Sequence, residues 1–287
     1  MQLSIIIVNY QAYKYLIPCL SSVQLAIMDI DAEIIVVDNE SSNELIQSIE
    51  SDFKEVVFIK NDDNKGFSKA NNQALQICNG SNVLFLNPDT IIPPNALITC
   101  LNYLETYDKV GALGVQMVNK NGQFLPESKR SFPQPISAFF KLIGIAKLFP
   151  NSRFFNRYAL GGLNKNQIHR VDVLAGAFMM VRGSLIKELQ GFDEQFFMYG
   201  EDIDLSIRIT NKEFENHYLG NIIIKHFKGM STNKNSHHFV EHFFGSMKLF
   251  VQKYYPKNTK WFKRGVLILG INMAKNLALI KNLFYRF

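Results

Sequence analysis

The first 118 residues alternate between short apolar runs and segments in which apolar residues recur at helical spacing. Leu3–Asn9 is a continuous apolar run that ends in a polar residue, which is typical of a strand covered on both faces. Tyr13–Ala26 follows with apolar residues on one face, and this spacing predicts a helix. The same alternation predicts strands at Glu33–Asp38, Val56–Lys60, Asn82–Asn87 and Val110–Val118, and helices at Ser41–Ser51, Phe67–Cys78 and Pro93–Tyr107.

Strands that alternate with helices through short connections predict an α/β fold with a mostly parallel, Rossmann-like central sheet and helices on both faces. Such sheets bind ligands at the carboxyl ends of their strands. Polar residues stand at the ends of the predicted strands, namely Asn9, Asp38, Asn61 to Asp63, Asn87 and Asp89. We therefore expect these side chains to meet along one edge of the sheet, which we call the polar rim.

The pattern is less regular from residue 119 to residue 169, although the basic, aromatic-rich stretch Ile136–Leu148 has helical spacing. Beyond it, the sequence predicts strands at Val171–Val181 and Asn221–Lys225, and helices at Ser184–Gln190 and Glu201–Thr210. The tail, Phe239–Tyr285, is predicted to be helical with a break near Pro256. We expect one domain at 1–237, with halves at 1–118 and 119–237, and a basic helical extension at 238–287.

Composition agrees with a folded chain, because 47% of the 287 residues are hydrophobic and only 20% are charged. Three cysteines, Cys19, Cys78 and Cys100, stand among apolar neighbours at wide spacings, so we expect buried free thiols rather than disulfides or a zinc site. Reduced thiols are typical of a cytoplasmic protein. We expect neither a signal peptide nor a membrane-spanning helix, because the apolar runs are short.

The net charge of +6 is distributed unevenly. Residues 128–171 contain eight Lys or Arg and no Asp or Glu, and residues 242–287 contain nine and none. Basic segments on an otherwise acidic chain suggest an anionic partner. A basic helix with an apolar face can lie on an anionic membrane surface, and the alternative is a helix packed on the domain with its lysines in solvent. No nucleic-acid-binding motif accompanies these segments, so we expect no nucleic-acid partner.

Five segments in order resemble family 2 glycosyltransferases of the GT-A fold, especially the rhamnosyltransferase-like group of bacterial polysaccharide biosynthesis. The segments are Ser4–Tyr10 (SIIIVNY), Val36–Asn39 (VVDN), Asn64–Asn72 (beginning NKGF), Leu86–Asp89 (LNPD) and Gly191–Leu205 (containing GFDE and YGEDIDL), and His226 follows. The resemblance implies a GT-A catalytic domain at 1–237. It also implies transfer of a sugar from a nucleotide-diphosphate donor to a hydroxyl of a glycan or lipid-linked glycan.

The resemblance implies nucleotide contacts from the first half of the chain. The residues concerned are Asn9, Tyr10, Asp38, Asn64, Lys65, Gly66, Phe67 and Asn72. A carboxylate such as Asp38 can accept from the imide N–H of uracil or thymine, although it could instead be a turn residue at a strand end. Lys65 and a helix N-terminus both favour a nearby phosphate.

The resemblance also implies a divalent metal, Mg²⁺ or Mn²⁺, at Asp89 and His226. Many relatives carry two acids in this segment, whereas this chain has Asn87 before Asp89. Such a cation is usually coordinated by only a few protein side chains, together with the phosphates of the substrate. Asp89 could instead be a turn residue, and His226 could be structural.

The base of an inverting transfer is, by the same resemblance, Asp202. Asp193, Glu201 and Asp204 are implied as acceptor-side or supporting residues, and Arg208 is spaced for an ion pair with Asp204. Three acids at a helix start would also stabilise any helix.

Two other classes compete with this interpretation. A sugar-nucleotide nucleotidyltransferase would need a glycine-rich phosphate loop after the first strand, but residues 9–13 contain no glycine. A non-catalytic, membrane-associated assembly factor on the same scaffold would have lost Asp89 or Asp202, and both are present. We expect a cytoplasmic enzyme that can be peripheral on the inner face of the cell membrane.

Overall fold

The structure, a computed structural model, describes residues 1–40, 43–134, 137, 145–228, 236–255 and 261–284. Its strands are β1 Leu3–Asn9, β2 Ala32–Asn39, β3 Val56–Asn61, β4 Asn82–Leu86, β5 Thr90–Ile91, β6 Val110–Val118, β7 Ile168–Val171, β8 Phe178–Arg182 and β9 Glu215–His226. Its helices are α1 Tyr13–Ala26, α2 Asn43–Asp52, α3 Phe67–Leu75, α4 Ala96–Thr106, α5 Ile145–Leu148, α6 Gly183–Glu188, α7 Glu201–Asn211, α8 His237–Tyr254 and α9 Trp261–Phe284.

Within the described residues the strands form one sheet in the order β3-β2-β1-β4-β8-β6-β9-β5, with β7 paired to β9. β3, β2, β1 and β4 are parallel. β8 is antiparallel to both of its neighbours, whereas β6 and β9 are parallel to each other. The predicted α/β fold is confirmed, and most of the antiparallel pairing belongs to the second half of the chain.

The apolar run of β1 is continuous because both faces of the sheet are covered. All seven residues of β1 are buried, and alternate side chains enter different cores. Ile5 and Ile7 pack in a core with residues of α1, α2 and α4, whereas Ile6 packs in a second core with residues of α3, α6 and α7. The polar rim is therefore held at the end of a strand that is fixed on both sides.

Several elements differ from the sequence prediction. The predicted strand Val171–Val181 is two strands, because β7 ends at Val171 and β8 begins at Phe178. β9 begins six residues earlier than predicted and pairs with β6 over most of its length. β5 is only two residues long and exists through its pairing with β9. The first two residues of the predicted helix at 41–51, the break near Pro256 and most of the predicted helix at 136–148 lie outside the described residues.

The tail packs on the sheet domain through α8. Phe250 of α8 forms a third apolar cluster with Phe196 and with Ile207 of α7. Cys19, Cys78 and Cys100 are free and buried, as predicted. Among the described helices, none has both the length and the apolarity to span a bilayer.

Candidate active site

Asn9 and Asp38 face each other at the carboxyl ends of β1 and β2. Asn9 Nδ2 donates to Asp38 Oδ1 at 2.7 Å, and Asn9 Oδ1 accepts from the backbone N–H of Ala12 at 3.3 Å. Both side chains are buried, and the adjacent Tyr10 is half-buried. Asn9 therefore orients the Asp38 carboxylate and ties it to the start of α1.

Asn39 holds the loop that precedes α3. Its Nδ2 donates to Asn64 Oδ1 at 2.8 Å, and its Oδ1 accepts from the backbone N–H of Lys65 at 3.0 Å. Asn64 Oδ1 also accepts from the backbone N–H of Gly66 at 3.0 Å. The Lys65 ammonium is ion-paired with Asp63 and remains partly exposed. The backbone of this loop is thus fixed while its cation stays at the surface.

Gly66 is required where it stands. Its φ of +85° is rarely adopted by other residues, and a Cβ there would lie 2.7 Å from the Phe197 carbonyl oxygen. The backbone N–H of Phe67 donates to that same oxygen at 2.7 Å. The Phe67 ring meets Phe192 edge-on at 5.8 Å between ring centres. The loop at the start of α3 is therefore joined to the segment that leads into α7.

Asn72 strengthens this junction. Its Oδ1 accepts from the backbone N–H of Phe192, and its Nδ2 donates to the Phe192 carbonyl oxygen, both at 2.9 Å. Nδ2 also donates to Glu194 Oε1 at 3.0 Å. The Asn72 amide thus ties α3 to the Gly191 turn, and its predicted contact with nucleotide stays a prediction.

Asp89 and His226 lie side by side, because β5 pairs with the end of β9. Asp89 Oδ1 and His226 Nε2 are 3.2 Å apart, and both side chains are almost fully buried. The backbone N–H of Phe227 donates to the Asp89 carbonyl oxygen at 2.9 Å, which fixes the pair. His226 Nδ1 is buried with no hydrogen-bond partner among the described residues.

This pair suits a divalent cation. A carboxylate oxygen and an imidazole nitrogen are ligands that Mn²⁺ accepts, and Mg²⁺ accepts the carboxylate. The unpartnered imidazole nitrogen leaves one polar atom that a ligand could satisfy. In the described part of the chain, no group of three or more His, Cys, Asp or Glu side chains is placed to hold a metal. Remaining ligands would have to come from substrate phosphates and water.

An ion pair next to His226 was not predicted from the sequence. Lys228 is ion-paired with Glu127, which follows β6. Burial would raise the pKa of Glu127, but the Lys228 ammonium, with a smaller effect from His226, holds it below its ordinary value. Glu127 is therefore an anion next to the Asp89–His226 pair, and Lys228 is its counter-ion.

Asp202, the predicted base, is the second residue of α7 and is ion-paired. Arg130 donates to Asp202 Oδ2 at 2.6 Å and to the Leu174 carbonyl oxygen at 2.5 Å. The side chains of Asp202 and Arg130 are 15% and 11% exposed, so little water screens the pair. Arg130 was not predicted. Its only signal in the sequence is its place in the first basic segment, 72 residues from its partner.

The turn between β7 and β8 joins Asp202 to the polar rim. The backbone N–H of Gly176 donates to Asp202 Oδ2 at 3.2 Å, and a Cβ on Gly176 would lie 3.8 Å from the Phe67 ring. The carbonyl oxygen of the next residue, Ala177, accepts from the backbone N–H of Asn87 at 3.0 Å, two residues before Asp89. Phe67, the Asp89 turn and Asp202 thus lie around one short stretch of backbone.

Glu201 is buried beside the predicted base. Burial, together with the neighbouring Asp202 carboxylate, raises the pKa of Glu201 to about 8. Its Oε2 has no hydrogen-bond partner among the described residues. A carboxyl group in this environment is protonated at neutral pH, so Glu201 does not add a second negative charge next to Asp202.

Asp204 is fully buried and connects α7 to the tail. Arg208 Nε lies 2.7 Å from its Oδ2, which confirms the predicted ion pair. The Tyr254 hydroxyl donates to Asp204 Oδ1 at 2.6 Å, and Lys253 Nζ lies 2.5 Å from the same oxygen. Lys253 also lies 2.6 Å from Asp193. Asp193 and Asp204 therefore share a cation of α8, which places both as supports of α7.

A cavity of about 520 Å³ lies in the second half of the chain. Its lining is Phe124, Pro126, Lys129, Pro150, Asn151, Asn156, Ala159, Gly161, Gly162, Leu163, Asn164 and Lys165. Lys129 donates to the carbonyl oxygens of Ala159 and Leu160, and burial lowers its pKa to about 8. None of the predicted site residues lines this cavity, so we assign it no part in the reaction.

The fold is the GT-A fold of known glycosyltransferases. A mannosyltransferase from Pyrobaculum calidifontis, solved with GDP-Man and Mn²⁺, superposes with a TM-score of 0.60 at 14% identity, over 98% of this chain and 73% of that one. At this identity the likeness concerns the fold.

The family follows from the sequence itself. The model of glycosyl transferase family 2 matches residues 4–188, and the chain belongs to that family. It is 30% identical to the low-salt glycan biosynthesis hexosyltransferase of Haloferax volcanii, over 72% of this chain and 61% of that protein. It is 24% identical to the N-acetylglucosaminyl-diphospho-decaprenol L-rhamnosyltransferase of Mycobacterium tuberculosis, over 81% of this chain and 78% of that protein. The resemblance to the rhamnosyltransferase-like group is therefore confirmed.

Proposed function

We propose that this protein is an inverting, metal-dependent glycosyltransferase. It moves a sugar from a nucleotide-diphosphate donor to a hydroxyl of a glycan or lipid-linked glycan in the synthesis of a cell-surface polysaccharide. The observation that carries the proposal is the position of Gly176, which touches the Asp202 carboxylate on one side and adjoins Phe67 on the other. A base and a nucleotide-binding loop on either side of one turn can bring an acceptor and a donor together.

The donor is held along the polar rim. Asp38, oriented by Asn9, accepts from the nucleobase, and the partly exposed ammonium of Lys65 binds the phosphates. Asp89 and His226 would hold the divalent cation, which when bound neutralises the charge of the departing diphosphate.

Asp202 acts on the acceptor. Its carboxylate takes the proton of the attacking hydroxyl, whose oxygen bonds to the anomeric carbon as the bond from that carbon to the diphosphate breaks. Attack from the face opposite the leaving group inverts the configuration. Asp202 Oδ2 accepts from both Arg130 and the Gly176 N–H, whereas Oδ1 accepts from the Ile203 N–H at 2.8 Å, so Oδ1 has more remaining capacity to take the proton. Protonated Glu201 keeps the acidic start of α7 from repelling the diphosphate.

The names of the relatives suggest which donor and acceptor to test first. The mycobacterial relative is named for an L-rhamnosyl group and a diphospho-decaprenol-linked acceptor. We therefore propose rhamnose as the first donor sugar to test and a polyprenyl-diphosphate-linked sugar as the first acceptor.

A donor screen tests this function. Nucleotide release is measured from dTDP-rhamnose, UDP-N-acetylglucosamine and GDP-mannose, with a polyprenyl-diphosphate-linked N-acetylglucosamine and with or without EDTA. We expect acceptor-dependent release from one donor, its loss with EDTA and its recovery with added Mn²⁺ or Mg²⁺.

Asp89→Asn should not recover on adding metal, whereas the control Asp108→Asn, at the exposed turn before β6, should behave as wild type. Nucleotide release that is unchanged by EDTA would refute metal dependence. No release from any donor would refute the proposed reaction.

A further inference from the structure

An apolar row faces outward along α9. The row consists of Val266, Leu269, Met273, Leu277 and Ile280, whose exposed fractions are 63%, 60%, 59%, 65% and 50%. Spacings of three and four residues place them on one side of the helix. Gly265 and Gly270 adjoin the row, and a Cβ on either would meet open space. We call this surface the α9 row.

The opposite side of α9 packs on the protein. Ile271 is 8% exposed, and Lys275 Nζ lies 2.5 Å from Glu241 of α8. From the sequence alone, Asn272 and Lys275 would be expected on the solvent side of the helix. In the structure both are half-buried. A surface helix normally turns its apolar side inward. In α9, apolar residues are also turned away from the domain, which marks an interaction surface.

We propose that the α9 row is the surface by which this protein rests in the headgroup region of an anionic lipid bilayer. Residues 242–287, which include α9, carry nine Lys or Arg and no Asp or Glu, so the net charge of this part of the sequence complements an anionic surface. A helix with an apolar side and basic residues lies in the plane of such a surface. The 24 residues of α9 would extend along it for about 36 Å.

A second copy of the chain fits the row less well. Packing two α9 rows together would bring two segments that are basic and lack acids face to face, and like charges in contact are unfavourable. The row is also one helix wide, whereas a stable interface buries about 800 Å² on each partner.

Seating α9 on a bilayer fixes the direction in which the active site faces. α8, to which Lys275 ties α9, also supplies Lys253 and Tyr254 to Asp204. Asp204 stands two residues after Asp202 on α7. The contacts from α9 to the helix that carries the base therefore run through one helix, α8, which suits a lipid-linked acceptor, and this part rests on the proposed function.

Vesicle flotation tests the proposal without any turnover. The full chain is mixed with vesicles of pure phosphatidylcholine or of phosphatidylcholine with 30 mol% phosphatidylglycerol. The test variant is L269S/M273S/L277S. The matched control is L25S/M28S/L45S, which removes three apolar side chains of similar exposure from the first half of the chain.

We expect wild type and the control to bind the anionic vesicles, and to bind pure phosphatidylcholine at least tenfold more weakly. The row variant should bind the anionic vesicles at least tenfold more weakly than wild type, and 0.5 M salt should weaken wild-type binding severalfold. Met273→Gln alone, a milder change, should show an intermediate loss if the triple variant does not fold. Asp202→Asn should float like wild type, so failed catalysis and failed membrane binding remain distinguishable.

Three results would overturn the proposal. Wild type could fail to float with anionic vesicles, or the row variants could float as well as wild type. Light scattering could also show a wild-type dimer that the row variant converts to a monomer, which would assign the row to a second copy instead.

Discussion

Replacing Asp202 by Asn removes the proposed base and keeps its shape. The amide cannot take the acceptor proton, and loss of a positioned base lowers turnover by about 10²–10⁴-fold, or about 3–5 kcal/mol in the barrier. The substitution also leaves Arg130, 11% exposed, without its anion. Breaking a buried pair on one side destabilises by about 3–5 kcal/mol, and we expect the low end because the Asn oxygen still accepts from Arg130.

The assay separates these two effects. Single-turnover transfer is measured at saturating donor, donor affinity by calorimetry, and Tm by differential scanning. We expect transfer to fall at least 100-fold, the donor Kd to change less than threefold, and Tm to drop by several degrees. Asp108→Asn, at an exposed turn before β6, is the control and should match wild type. If transfer by Asp202→Asn stays above a tenth of wild type, or if donor affinity falls as much as transfer, the assignment of the base is wrong.

Three further predictions concern residues around the base. Arg130→Ala should lower kcat by about 10–100-fold with little change in donor Kd, because the Asp202 carboxylate loses its orienting partner, and equal losses in both would indicate a general structural role. Glu201→Gln should flatten the dependence of Tm on pH. The pKa of Glu201 is raised to about 8, so the folded state holds a proton that the unfolded state releases near its ordinary value of 4.5, and wild-type stability falls as pH rises from about 4.5 to about 8. If the Tm of wild type and of Glu201→Gln changed with pH in the same way, the raised pKa of Glu201 would be contradicted. Gly66→Ala should destabilise by about 1–3 kcal/mol and weaken donor binding because its Cβ meets the Phe197 carbonyl oxygen, whereas Gly122→Ala, with a similar φ of +75° but open space around it, should lose less in a urea melt.

The sequence predicted the strands whose signal is local. Leu3–Asn9 and Val110–Val118 have the predicted bounds, because a strand buried on both faces is apolar throughout. β5 and the start of β9 could not be predicted, since each is a strand only through its partner. The antiparallel direction of β8 likewise depends on the course of the chain between β7 and β8.

The candidate site was predicted only in part, because the roles of some of its residues depend on partners that are distant in the sequence. Residues inside ordered motifs, such as Asp89 and Asp202, could be identified because the motifs recur in a known family. Arg130 and Glu127 could not, because their roles depend on partners 72 and 101 residues away. Asn72 was predicted to meet nucleotide, and the structure places its amide on the backbone of Phe192 instead of on open surface.

The junction at Asp204 has a consequence for how this enzyme can change over time. One of the two oxygens of this fully buried carboxylate is served by Tyr254 and Lys253, both beyond residue 188, where the family model ends. Exchanging or removing α8 would take away both partners of Asp204 Oδ1 and leave only the Arg208 ion pair on Oδ2, two residues after the base. Substitutions in α7 and α8 are therefore coupled, and chimeras joined between these two helices should fold poorly.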